Sequence, residues 1–167
     1  MSRRPQHSQP QSQILLHERR ADHRGGLEVR PSTLRGNAGR GLFSARALPR
    51  NAAIGCWTGS VVPISDYVDD GFGIEVRYPE RSVDTAVVVT PMDAESATVD
   101  FAKHPLAAAN EPLEGTVANM YVRIEEYDAT LFRAQLPPAC DASALCLVVG
   151  FYAAEDISAG SELFWNY

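Results

Sequence analysis

The segment that decides the fold is Ala154–Tyr167, which reads AEDISAGSELFWNY. A polar turn around Gly160 interrupts an apolar run, and Phe164, Trp165 and Tyr167 then follow within four positions. Chain ends are usually polar, because ordering them has to be offset by burial. Three aromatic rings are unfavourable in water, so we expect this segment to be buried. It is either a final strand anchored in a core or a segment that brings the Tyr167 hydroxyl to a site.

Length and composition predict one soluble globular domain. The chain has 167 residues, of which 45% are apolar and 22% are charged, as is ordinary for a domain of this size. It contains no apolar run of about 18 residues, the length that predicts a membrane span. Cys56, Cys140 and Cys146 match neither a disulfide framework nor a zinc spacing. We expect a reducing intracellular compartment, nuclear or cytoplasmic, and no structural metal.

Residues 1–24 differ in composition from the rest of the chain. They are rich in Gln, Ser and Arg, which predicts a disordered arm. The same composition is compatible with an organellar transit peptide. The folded domain is expected to span residues 25–167.

Charge is distributed unevenly. Residues 1–50 contain ten arginines and three acidic residues, whereas residues 51–167 contain five basic and eighteen acidic residues. An acidic body favours a basic protein or peptide as partner and disfavours direct binding to nucleic acid. The alternative is an acidic surface that is only solvated.

Short extended segments with glycine and proline between them predict a mainly β protein. The pattern indicates strands at 27–30, 42–45, 54–62, 73–78, 85–90, 117–124 and 144–154. One stretch, 105–110, is compatible with a helix. No internal repeat and no long amphipathic helix is present.

Two polar motifs lie between these strands. Gly39-Arg40-Gly41 is either a tight turn or a place where bare backbone N–H groups approach an anionic group. Asn110 and Asn119 are either turn residues or buried amides that tie crossing backbones together or hold a polar ligand.

Taken together, four segments resemble the SET-domain protein lysine methyltransferases in order and spacing. They are GRGLFSA at 39–45, IGCWTG at 54–59, NEPLEGTVAN at 110–119 and DISAGSELFWNY at 156–167. The resemblance covers residues 27–167. It implies the SET fold, which consists of several small curled sheets with a knot-like C-terminal segment that threads under a crossing loop.

The resemblance also implies the site residues. It assigns S-adenosylmethionine binding to Gly39, Arg40, Gly41, Asn110 and Glu111. It makes Tyr167 the catalytic residue. It places Trp57 and Trp165 in the channel that receives the substrate lysine.

The implied reaction is methyl transfer to a lysine side chain of a protein. A lysine with a pKa of about 10.4 is mostly protonated at neutral pH, and a dry aromatic channel disfavours the charged form. The protein has to align this amine with a methyl group that is already activated. The reaction requires neither a metal nor an acid–base pair.

The sequence departs from the family pattern at several points. Glu111 stands where the family usually has histidine, both predicted channel residues are tryptophan, and no cysteine-rich segment follows Tyr167. The arm or a second subunit, as in a homodimer, would then have to complete the channel. These departures favour the alternative of a non-catalytic SET-like module that binds a basic protein segment. An unrelated all-β interaction domain is the third hypothesis.

Overall fold

The computed structural model describes residues 26–34, 39–57, 59–69, 71–77, 86–93, 97–128 and 145–166. The predicted arm, residues 1–24, and the predicted catalytic residue Tyr167 lie outside these ranges.

Short strands dominate the described part of the chain, so the predicted mainly β class is confirmed. In chain order the elements are β1 (Leu27–Pro31), β2 (Arg40–Ser44), β3 (Ala53–Trp57), β4 (Ser60–Pro63), β5 (Ile74–Val76), β6 (Val87–Thr90), β7 (Met92–Asp93), β8 (Thr98–Val99), a 3-10 helix (Pro105–Ala108), β9 (Met120–Asp128), β10 (Leu145–Ala153) and β11 (Glu162–Leu163). The stretch predicted to be compatible with a helix is this 3-10 helix.

The strands form four small antiparallel sheets. Their strand orders are β1-β2-β11, β3-β10-β9, β4-β6-β5 and β7-β8. In the first sheet Glu162 pairs with Phe43 and Leu163 pairs with Leu42. The predicted architecture of several small sheets is therefore confirmed, and the C-terminal segment completes a sheet that begins near residue 27.

The middle strand of the second sheet, β10, has one face buried in the core. Val149, Phe151 and Ala153 of β10 are each 0% exposed, and residues two apart on a strand face the same side. On the other side Gly150 lies beside Tyr152, and a Cβ at this glycine would be 2.9 Å from the tyrosine ring. One face of the strand therefore forms core and the other carries an aromatic ring over a glycine.

The predicted strand at 54–62 is two strands in the structure. Gly59 lies between them and packs against the backbone at the end of β6, where a Cβ would overlap the Thr90 carbonyl and lie 2.8 Å from the nitrogen of Pro91. A residue with a side chain does not fit this close approach. The split therefore depends on a contact about thirty residues away.

The C-terminal segment is buried, as its aromatic sequence predicts. Leu163 is 0% exposed and Trp165 is 6% exposed. On one side Phe164 forms a parallel bridge with Asn110, and the Trp165 N–H donates to the Asn110 carbonyl at 3.2 Å. On the other side the Met120 N–H donates to the Phe164 carbonyl at 3.0 Å. Residues 162–165 are thus held between two parts of the segment 110–120.

Asn119 reinforces this contact with its side chain. Its Nδ2 donates to the carbonyl of Glu162 at 2.9 Å, and its Oδ1 accepts the N–H of Phe164 at 2.8 Å. One amide therefore satisfies a backbone acceptor and a backbone donor of the C-terminal segment. Of the two interpretations of this residue, the structure shows the one in which it ties two backbones together.

Candidate functional site

The carboxylate of Glu162 joins three parts of the chain that are distant in sequence. Its Oε1 accepts hydrogen bonds from Ser32 Oγ at 2.7 Å and from Asn110 Nδ2 at 3.3 Å. Its Oε2 accepts hydrogen bonds from the N–H and the Oγ1 of Thr33, at 2.7 and 2.5 Å. The residue is only 6% exposed, so the carboxylate replaces its water with these donors.

These donors also keep Glu162 charged. Burial by itself raises the pKa of the Glu162 carboxyl, but hydrogen bonds from Thr33, Ser32 and Asn110 together hold this pKa below its ordinary value. Hydrogen bonds to the ionised form favour it over the protonated form. Glu162 is therefore an anion at neutral pH, and it contacts two of the predicted cofactor residues, Gly41 and Asn110.

Gly41 provides the space that this carboxylate occupies. A Cβ at Gly41 would overlap Oε1 of Glu162, would lie 2.8 Å from its Cδ and would be 3.2 Å from the Cα of Ser32. Gly41 and Arg40 belong to strand β2, so the strand begins two residues earlier than predicted. The structure thus gives Gly41 a packing role that the sequence did not indicate.

Asn110 connects β2 with the C-terminal segment. Its Nδ2 donates to the carbonyl of Arg40 at 3.0 Å as well as to Glu162. The backbone carbonyl of Asn110 accepts a hydrogen bond from the backbone N–H of Trp165. The side-chain amide of Asn110 is therefore held by β2 and β11, directly beside the Gly39–Gly41 stretch.

Gly39 lies at the open end of this arrangement. Its φ of +65° is in the left-handed region, which glycine adopts without steric cost. No described residue lies within 4 Å of the position that a Cβ would take, so the described part of the chain leaves the backbone accessible from this side. Glu111, the remaining predicted cofactor residue, is exposed immediately after Asn110.

Three aromatic rings pack together next to this network. Trp57, Phe151 and Trp165 are 1%, 0% and 6% exposed, and their ring centroids are between 4.9 and 6.0 Å apart. The Trp57 Nε1 donates to the carbonyl of Val89 at 3.0 Å. The cluster is buried, and Trp165 connects it to Asn110 through the backbone hydrogen bond described above.

The structure brings most of the predicted site residues into one region. Gly39, Arg40, Gly41 and Asn110 are adjacent, and the buried pair Trp57 and Trp165 is in ring contact. The roles assigned to them, including that of Tyr167 outside the described residues, stay predictions.

Sequence reasoning missed Glu162, although it lies within one of the quoted motifs. An acidic residue at the start of an apolar run is usually exposed, and nothing local indicates that Ser32 and Thr33 are its donors. Gly41 lies inside strand β2 in the structure, where a glycine often marks a close approach by another group, but the predicted strand began only at residue 42.

Among the described residues, no group of three or more His, Cys, Asp or Glu is placed to bind a metal ion. None of the helices that the structure describes is long and apolar enough to cross a membrane.

Sequence comparisons give no relative. A scan against protein-family models finds no match, and a search of the curated proteins finds none either.

Structural comparison does find similar proteins. Polycomb Repressive Complex 2 of Chaetomium thermophilum, in an autoinhibited conformation bound to S-adenosylmethionine, matches with a TM-score of 0.50 and 18% identity over 86% of this chain. A humanized mutant of that complex with a bound inhibitor matches with a TM-score of 0.54 and 19% identity over 84% of this chain. KRYPTONITE in complex with DNA, an H3 peptide and SAH matches with a TM-score of 0.50 and 22% identity over 93% of this chain.

This chain spans only a small part of these larger proteins, namely 15% of the Polycomb chains and 24% of KRYPTONITE. The neighbours are SET-domain lysine methyltransferases, and the matches cover between 84% and 93% of the present chain. The chain therefore has the SET-domain fold.

Proposed function

We propose that this protein transfers a methyl group from S-adenosylmethionine to a lysine side chain of a protein substrate. One observation carries the proposal. On a SET fold, Asn110 is bonded to the Arg40 carbonyl at 3.0 Å, so the residues that the sequence assigns to the cofactor adjoin one another.

The groups in this region fit such a cofactor. Both N–H bonds of the Asn110 amide have protein acceptors, whereas its Oδ1 accepts no hydrogen bond from the described residues. The cofactor carries an ammonium group, which can donate to an oxygen of this kind. The open space beside Gly39 leaves room for a ligand along the backbone. Neighbouring structures contain S-adenosylmethionine or SAH.

When bound, this cofactor supplies a methyl group that is already activated. The chain has to position the lysine amine, exclude water and favour the neutral amine. The cluster of Trp57, Phe151 and Trp165 is buried and apolar, and an environment of this kind lowers the pKa of a lysine. We assign Tyr167, two residues after Trp165, to orienting the amine.

We further propose a basic protein or peptide as substrate. Residues 51–167 carry eighteen acidic and five basic side chains, which attract a positively charged segment over a distance of about 10 Å at 0.1 M salt. KRYPTONITE was solved with an H3 peptide, so a basic tail is a suitable first probe.

A second function, binding without catalysis, has one observation in its favour. The two rings predicted to line the lysine channel pack against each other and against Phe151, with centroids of Trp57 and Trp165 6.0 Å apart. The Trp57 Nε1 is also bonded within the core. A channel for the lysine side chain requires open space between these rings, whereas here the rings themselves fill that space.

Two measurements separate these functions. Calorimetry with S-adenosylmethionine tests the cofactor site, and Asn110→Ala should weaken binding by about 1–3 kcal/mol. Labelled cofactor with a panel of basic proteins then tests methyl transfer. Binding with transfer supports the enzyme, and binding without transfer to any protein in the panel supports the binding module. A folded protein that does not bind the cofactor would refute the enzymatic proposal.

A further inference from the structure

The amide of Asn110 has two possible orientations, and its partners select one of them. In the observed orientation Nδ2 faces the carbonyl of Arg40 and the Oε1 of Glu162, at 3.0 and 3.3 Å. Rotating the amide by half a turn would place Oδ1 against these same two acceptors. Because an oxygen cannot donate to either, the reversed amide loses two hydrogen bonds and faces a negative charge.

Of the two acceptors, Glu162 is the charged one. Its carboxylate is also held in place by three further hydrogen bonds from Ser32 and Thr33, at 2.5 to 2.7 Å. Gly41 leaves space for the carboxylate where any other residue would displace it. The fold therefore holds the Glu162 carboxylate in one position, where it accepts a hydrogen bond from the Nδ2 of Asn110.

We propose that Glu162 is a positioning residue for cofactor binding, which keeps the Asn110 amide oriented so that its Oδ1 faces the ligand. This role rests on the proposed function, because it requires a cofactor that donates a hydrogen bond to Asn110. In this role Glu162 acts through the amide of Asn110 and not by contacting the ligand.

The isosteric change Glu162→Gln is predicted to weaken the preference for the observed amide orientation. The N–H and the Oγ1 of Thr33 favour placing the glutamine oxygen toward Thr33, which leaves its NH₂ group toward Ser32 and Asn110. The Ser32 hydroxyl can accept from this NH₂ group, whereas the Nδ2 of Asn110 cannot. The Arg40 carbonyl still attracts Nδ2, but the glutamine NH₂ group repels it, so the Oδ1 of Asn110 faces the ligand in a smaller fraction of the molecules.

Calorimetry with S-adenosylmethionine tests this role on the full chain. The loss of one charge-assisted hydrogen bond predicts about tenfold weaker binding or more for Glu162→Gln. The matched control is Glu155→Gln, which removes the same charge from an exposed position and should leave the affinity unchanged. If the unmodified protein does not bind, the proposed function fails. If it binds and Glu162→Gln binds equally well, only the positioning role fails.

A second pair of variants distinguishes orientation from general stability. Asn110→Asp places a carboxylate opposite Glu162, so its affinity should fall. Adding Glu162→Gln to Asn110→Asp lets the glutamine NH₂ donate to one Asp oxygen while the other faces the ligand, and the affinity should rise again. A double variant that is folded and binds no better than Asn110→Asp would overturn the proposal, even if Glu162→Gln alone does not fold.

Discussion

Gly41 and Glu162 should be tightly coupled in stability. In Gly41→Ala the new Cβ would overlap the carboxylate of Glu162 and lie 3.2 Å from the Cα of Ser32. Ser32 directly follows β1, and its N–H donates to the carbonyl of Gly39 at 3.1 Å, which holds the backbone in place. The Glu162 side chain therefore has to leave its position. It then loses its hydrogen bonds from Ser32 and Thr33.

The expected cost follows from these contacts. Overpacking a buried position costs about 1–3 kcal/mol, and each hydrogen bond lost from a charged group costs about 1.5–3 kcal/mol. Displacing the carboxylate removes at least one such bond, so the free energy of unfolding should fall by about 2.5–6 kcal/mol or more. For a chain of 167 residues this corresponds to a melting temperature lower by about 5–25 °C.

Urea unfolding followed by circular dichroism measures this change. The control is Gly39→Ala, where the space is open and only the φ of +65° opposes a side chain, at a cost of about 1–2 kcal/mol. Combining Gly41→Ala with Glu162→Ala should add little to the cost of Glu162→Ala alone, because the clash is gone. Additive costs in the double variant would refute the assigned role of Gly41.

Three other variants address the C-terminal segment and its chemistry. Asn119→Ala should lower the free energy of unfolding by about 2–4 kcal/mol in urea unfolding, since two buried backbone groups lose their partner; a cost under about 0.5 kcal/mol would contradict the tie. Because the pKa of Glu162 is depressed in the folded protein, its contribution is complete above the unfolded pKa of about 4.3 and is lost as the pH falls through the folded pKa. Unfolding measured between neutral and acidic pH should therefore show a steeper loss in the unmodified protein than in Glu162→Gln, and equal slopes would argue against an ionised Glu162. Tyr167→Phe should reduce methyl transfer about a hundredfold, a barrier of about 2.7 kcal/mol, with cofactor affinity unchanged; full turnover would reduce Tyr167 to an anchor.

The strands that the sequence predicts well are those with local signals. Strand β10 has nine residues, most of them apolar, which is long enough to be read as a strand. The strands β7 and β8 have two residues each, too few for any alternation, and they were not predicted. The predicted strand at 54–62 runs past the end of β3 at Trp57. That end depends on the contact between Gly59 and residues 90–91, which the local sequence does not show.

The site shows the same division between local and distant information. The Gly39–Gly41 stretch and Asn110 carry recognisable motifs, and the resemblance placed them together. The partners of Glu162 at Ser32 and Thr33 are 130 and 129 residues away in sequence. A single sequence contains no signal that pairs residues over this separation, so neither the buried anion nor the reason for Gly41 could be predicted.

The first sheet has a consequence for synthesis on the ribosome. Strands β1 and β2 are made early, but β11 supplies the third strand only after more than a hundred further residues. At a synthesis rate of about 5–20 residues per second, this delay is roughly 5–25 s. During that time one edge of β2 has no partner strand, and Leu42 and Phe43, buried in the finished fold, are not yet covered by Leu163 and its neighbours. Unpaired strand edges with apolar residues are prone to aggregation, so we expect the nascent chain to be most prone to aggregation before β11 emerges.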